Sequence, residues 1–147
     1  MQEENVMEER HTASAYWALR VALGVVPIVA GLDKFTNLLT DWAQYLSPLA
    51  QRLLPISPGA FMRAAGVVEI VVGAAILAGK ARYFGFVAAA WLAAITIDLL
   101  TTGHFLDIAA RDAVLAVAAF ALGRLAQVHE RAHAAAPLSA HRPATVP

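Results

Sequence analysis

The sequence predicts an all-α integral membrane protein: a four-helix transmembrane bundle with an interfacial amphipathic helix between spans one and two. Three observations carry that fold class. Of 147 residues, 59% are hydrophobic. Only 15% are charged, against about 25% in an ordinary soluble domain. Four apolar stretches are each long enough to cross a hydrocarbon core of about 30 Å. Mean hydropathy is +0.59, and the length suits one bundle with no second domain.

The formal net charge is zero, so no electrostatic footprint for nucleic acid exists. The chain has no cysteine. That excludes disulfides, thiolate metal sites, iron–sulfur clusters and thiol catalysis on its own residues. The first apolar run follows the acidic segment MQEENVMEER and lacks the basic start of a signal peptide. A retained helix is the expectation.

Residues 1–15 read as a polar cytoplasmic tail. Residues 16–128 read as the four-helix transmembrane domain, and 129–147 as a disordered tail containing His129 and His133 without a metal role. The first span is 16–35. Tyr16 and Trp17 suit an aromatic belt, and Arg20, one turn in, suits an interfacial anchor that snorkels to headgroups. Pro27 removes one backbone donor mid-span and is expected to kink the helix.

Residues 36–59 are too polar to span. Leu38, Trp42, Tyr45, Leu46, Leu49 and Leu53 recur at three- and four-residue steps, which predicts an amphipathic helix within 37–53. Pro48 would start or break it, and Pro55 and Pro58 end it. Whether it lies on the bilayer or caps the bundle stays open at this level.

The second span, 60–79, contains MRAAGVVEIVVGAAILAG, with one acid near its middle. Glu69 shares a helix face with Gly66 and Gly73. Small residues admit a neighbouring helix, and a charge at bilayer depth is costly without a partner. Glu69 should therefore face another helix. A very short basic loop, Lys80, Ala81 and Arg82, forces an antiparallel hairpin into the third span, 83–102. The fourth span, 107–128, opens with Asp107 and Arg111 at the favourable i, i+4 spacing and is marked at its far end by Arg124.

An even number of spans puts both termini and the Lys80–Arg82 loop on one side. The basic residues there make that side cytoplasmic, as expected of a multi-pass inner-membrane protein. The charged residues then collect in the other, outer half. Asp33 and Lys34 close span one. Arg63 opens span two with Glu69 deeper. Asp98 ends span three, with His104 in the next turn, and Asp107, Arg111 and Asp112 open span four. This is the candidate buried polar or ligand-binding cluster. Arg111 is the favoured partner of Glu69, because its planar head can bridge two carboxylates. Desolvation favours a protonated Glu69 if no cation reaches it. The residues single out no reaction and no metal motif.

Three segments resemble the DoxX family of small four-span bacterial membrane proteins. They are Arg20-x-x-x-Gly24 followed by Gly31-Leu32-Asp33-Lys34-Phe35; Gly66-x-x-Glu69-x-x-x-Gly73; and Asp107-Ile108-Ala109-Ala110-Arg111-Asp112. GLDKFTNLLTDWAQYLSP, residues 31–48, resembles one DoxX-like branch closely, and the likeness covers about residues 16–127. The resemblance implies a four-helix transmembrane bundle. It also implies association with a quinone-linked oxidoreductase system, since the family is named for a subunit of a thiosulfate:quinone oxidoreductase. Quinone is then the implied ligand. Expected partners are the lipid bilayer and other membrane or oxidoreductase subunits, or a homo-oligomer. Glu69, Arg111, Asp112 and His104 are of suitable type to meet quinone oxygens in an apolar slot. Two further readings stand beside it: a non-catalytic assembly or packing subunit, and a small-solute or proton pathway.

Overall fold

A computed structural model describes residues 2–139. Among them the chain is all-helical, with no strand. Helix α1 is Gln2–Asp33, α2 is Pro48–Leu53, α3 is Pro58–Ala75, α4 is Ala81–Thr102 and α5 is Leu106–Ser139. A 3₁₀ turn, Trp42–Tyr45, precedes α2, and a π-helical turn, Ile76–Lys80, joins α3 to α4. Among the described residues, two helical runs are long and apolar enough to cross a membrane: Arg10–Asp33 and the 45-residue Pro58–Thr102.

The second run is folded back on itself. Gly79 adopts φ +91°, a left-handed conformation that is cheap only for glycine. It reverses the chain between α3 and α4 with almost no loop. Turning there frees carbonyls at the start of the π-helical turn from helical partners. Arg20 meets them from α1: Nε donates to the Ile76 carbonyl at 3.1 Å and Nη2 to that of Leu77 at 2.6 Å. Its guanidinium also lies 4.6 Å from the Trp17 ring centroid. Arg20 therefore points along the protein to cap a helix, where the sequence alone suggests an anchor in the headgroups.

Contacts between elements fix the directions. Gly31 faces Gly66 and Gly24 faces Gly73, so α1 and α3 are antiparallel. Gly85 lies against Gly123 and Ala119 while Arg82 lies against Glu130, so α4 and α5 are antiparallel too. The Tyr16 ring stacks on His129 with centroids 4.6 Å apart, and Arg82 meets Glu130 at 3.2 Å. One end of the bundle thus gathers the start of the apolar part of α1, the hinge, the start of α4 and the far part of α5. The α1–α3 and α4–α5 pairs share the widest contacts.

Small residues line the helix contacts beside a few large ones such as Ile76, Leu99 and Leu122, and many large aliphatic residues lie outside. Ala65, Gly66, Gly73, Ala81, Ala88 and Ala119 are buried. Val29, Val71, Ile97, Val114 and Val117 are exposed. A water-soluble bundle has the reverse pattern; helices in lipid gain little from hiding large side chains and much from close backbone approach. The approach is tightest between α1 and α3. A Cβ on Gly66 would lie 2.6 Å from the Gly31 carbonyl oxygen, and one on Gly31 2.5 Å from that of Gly66.

Helix occupies more of the first and last segments than the sequence suggests. Pro27 lies inside α1 without ending it. Helix α1 begins at Gln2 and α5 reaches Ser139, so helix continues into both segments read as tails; residues 140–147 and the side chain of His133 lie outside the described residues. His129 belongs to the bundle through Tyr16.

The amphipathic helix expected over 37–53 is not one helix. Asn37 turns the chain with φ 51°. Asp41 caps the 3₁₀ turn by accepting from Ala43 N at 3.1 Å. Pro48, which has no N–H, then restarts the chain as α2, with Ser47 Oγ accepting from Ala50 N at 3.0 Å. Leu46 and Ser47 are buried, whereas Leu38, Leu39, Leu49 and Leu53 are exposed. The segment is a strap, turned partly onto protein and partly outward.

Substituting Gly66 with leucine should force α1 and α3 apart and destabilise the protein by about 1–3 kcal/mol, the usual cost of overpacking. Gly59→Ala is the control, because nothing lies within 4 Å of its added Cβ. Thermal unfolding in detergent reads both, with a fall expected for Gly66→Leu alone.

Candidate functional site

The polar groups gather at the bundle end away from the hinge. Glu69 sits past the midpoint of α3 on the face that meets α1, and is buried. Because Gly66 has no side chain, the stem of Lys34 passes beside it; a Cβ there would be 3.1 Å from Lys34 Cβ. Lys34 Nζ then reaches Glu69 Oε2 at 2.6 Å, with side chains only 6% and 9% exposed. The Trp42 ring covers the ammonium, its centroid 3.7 Å from Nζ. A lysine expected to close the span is thus buried, carbon stem and charge together, with Trp42 over it.

Asp33 organises the strap. Its carboxylate accepts from the backbone N–H of Leu38 at 3.0 Å and of Leu39 at 3.1 Å. It also accepts from Thr36 Oγ1 at 3.1 Å and from Trp42 Nε1 at 2.7 Å. The same indole therefore binds Asp33 by its edge and Lys34 by its face. Asp98, from α4, holds the strap's other side: it accepts from Ser47 N at 3.1 Å and from Ser47 Oγ. Tyr45 packs edge-on to Phe105, centroids 4.9 Å apart, and Phe105 holds φ 57° in the α4–α5 turn. Two long helices, α1 and α4, and the α4–α5 turn are in this way tied to one strap.

The remaining candidates lie apart from this group. Arg111 does not reach Glu69. Its side chain is 63% exposed and its Nε meets the buried Asp112 at 3.2 Å. The Arg111 partner is thus the adjacent residue and not Asp107, which is exposed, as are Arg63 and His104. The His104 backbone N–H donates to Thr102 Oγ1 at 3.0 Å. Lys34 takes the role expected of Arg111 because it comes from the helix that the glycine seam brings against α3. Gly24 and Gly31 are seven residues apart, as are Gly66 and Gly73, and that matched spacing was the available signal for the α1–α3 contact. Trp42 and Ser47 carried no such signal, since their roles depend on where the strap lies.

Two openings flank the strap. One groove, of about 190 Å³, lies between α2 and α4 with Ser47, Asp98 and Thr101 set among Leu49, Leu53 and Ile97. The other is an apolar trough along Val29, Leu32, Phe35 and Leu38, with Asp33 and Thr36 at its edge. Among the described residues no group of three potential ligands could hold a metal ion.

The buried pair makes a direct prediction. Lys34→Met or Glu69→Leu alone leaves one buried charge unpaired, at about 3–5 kcal/mol. The double variant removes both charges and should recover most of that loss. Thermal unfolding of all four proteins in detergent gives the coupling, and additive losses would disprove the contact.

The DoxX family pattern matches residues 15–105. The matched part includes Lys34, Glu69, Asp98 and the whole strap, and ends before α5, short of the motif at 107–112. No curated protein and no solved structure matches the chain. The family match spans more than half of the sequence, and the exposed faces of the helices are apolar. The chain belongs to the DoxX family of membrane proteins.

Proposed function

We propose that the chain is a four-span, multi-pass subunit of the inner (cytoplasmic) membrane that serves a quinone-linked oxidoreductase system. Support for four spans comes from α1, α3, α4 and α5 running antiparallel in turn. Support for cytoplasmic termini comes from the hinge end, where Lys80, Arg82, Arg124 and Arg131 are concentrated. The strap then lies at the outer surface, its exposed leucines toward the bilayer interface and its Trp42 and Leu46 toward protein.

The observation that carries the quinone reading is the groove beside Asp98. Ligand sites are mostly apolar with a few placed polar groups, and this one has a carboxylate and two hydroxyls among aliphatic walls. Asp98 keeps acceptor capacity beyond its two bonds to Ser47. A quinol hydroxyl is a matching donor, and its ring fits against Leu49, Leu53 and Ile97. The carboxylate also supplies a place for a proton. The Lys34–Glu69 pair has a different part in this reading: it holds α1 and α3 together beneath the strap. Asp112, Arg111 and His104 are left outside the binding group.

A non-catalytic assembly subunit is the second reading. The observation favouring it is the closure of the ion pair, whose two charges meet each other under Trp42. Calorimetric titration of the detergent-purified protein with a short-chain quinol separates the two. Saturable binding, weakened about tenfold by Asp98→Asn through loss of a charge-assisted hydrogen bond, supports the quinone site. Absence of binding, with partner proteins lost on purification of Gly66→Leu, supports assembly. Cytoplasm-specific reporters fused to either terminus should both be active; one active and one silent would rule out four spans.

A further inference from the structure

Among the described residues, one buried side-chain polar atom has no hydrogen-bond partner: Nε1 of Trp91. Native proteins rarely leave a buried donor unmet, and each such case calls for an explanation. The indole N–H can only donate, so whatever meets it must bring an acceptor. Trp91 stands near the middle of α4, ten residues or about 15 Å from Ala81. If α4 spans, that depth is the hydrocarbon core, where water is scarce. An acceptor at that depth comes most readily with a lipid-soluble molecule.

The position of Trp91 relative to the groove narrows the choice. Trp91 and Asp98 are seven residues apart, close to two helical turns, and so lie on one side of α4. Ala94, between them, lines the groove. Trp91 is not itself part of the groove lining, so a ligand beside Asp98 reaches its buried N–H only by moving past Ala94 along this face of α4. α4 packs mainly on α5, and α3 mainly on α1, so the α3–α4 side is the less closely packed of the two seams between helix pairs.

We infer that Trp91 Nε1–H is the hydrogen-bond donor for a carbonyl oxygen of the lipid-soluble ligand that enters beside Asp98. The inference rests on the quinone reading for the identity of that ligand. It adds a division of labour. A quinone offers only acceptors and calls on Trp91. A quinol offers two donors that Asp98 can accept, and its hydroxyl oxygens are weaker acceptors for Trp91 than quinone carbonyls. The two residues then favour different oxidation states of one molecule.

The test is calorimetric titration of the full chain in detergent with a short-chain quinone and, separately, its quinol. Trp91→Phe keeps an aromatic ring and removes the N–H. It should weaken quinone binding about five- to tenfold, the loss of one hydrogen bond, and weaken quinol binding distinctly less. Equal losses for both forms would make Trp91 a packing residue and overturn the inference. So would unchanged quinone binding in Trp91→Phe, and if Asp98→Asn still weakens the quinol, the quinone reading survives that result. Failure of the wild-type protein to bind either form overturns both. Should Trp91→Phe fail to fold, ultraviolet resonance Raman on the wild type reads the indole hydrogen bond directly. A Trp91 band that shifts on adding quinone is expected, assigned against Trp17→Phe. A band already at its hydrogen-bonded position without ligand means that water holds the donor, and overturns the inference.

Discussion

The close approach of α1 and α3 is the constraint on which the rest depends. At two levels a glycine on one helix lies against the carbonyl oxygen of a glycine on the other, Gly24 with Gly73 and Gly31 with Gly66. In a bilayer, hydrophobicity does not drive helices together, so contact comes from van der Waals packing and interhelical polar bonds. The glycine seam supplies the first and makes room for the second. Lys34 reaches Glu69 only because its stem can pass beside Gly66. A larger residue there would separate the backbones and strand both charges in a medium of low dielectric, where unpaired ions are very costly.

Polar groups at the two ends of the bundle do different work. At the hinge end, Arg20 satisfies carbonyls that the left-handed Gly79 turn leaves open. That arrangement lets a 45-residue apolar run reverse with almost no loop. At the strap end, Asp33 and Asp98 receive donors from the chain between α1 and α3. Trp42 joins Asp33 and Lys34 through the edge and face of one ring. The strap is short of helical structure, so side-chain acceptors take over the satisfaction of its backbone groups. The same acids that fix the strap also shape the groove beside it.

The helices were largely legible from composition and period. Apolar runs, the glycine spacing on 66 and 73, and the absence of charge between residues 70 and 79 left little alternative for α3. The strap was less so. Its leucine and aromatic residues have helical spacing, yet Pro48 and the Ser47–Asp98 bond divide it into a 3₁₀ turn and a six-residue helix. A periodic pattern records which residues can share a face; it does not record a tertiary acceptor that captures the backbone between them. Arg111 illustrates the same limit. Its chemistry suits bridging carboxylates, but its helix does not bring it to Glu69.

By itself the sequence determined an apolar helical protein, the inward direction of Glu69 and the family, because these follow from hydropathy, from the cost of burying a charge and from local motifs. Only the tertiary structure decided that Lys34 is the partner, that Trp42 covers it, that Asp98 holds Ser47 and that the Trp91 N–H is left unmet. Those outcomes turn on distances of a few ångströms between helices far apart in the chain, and the register of the glycine contacts, not the identity of any one residue, sets such distances.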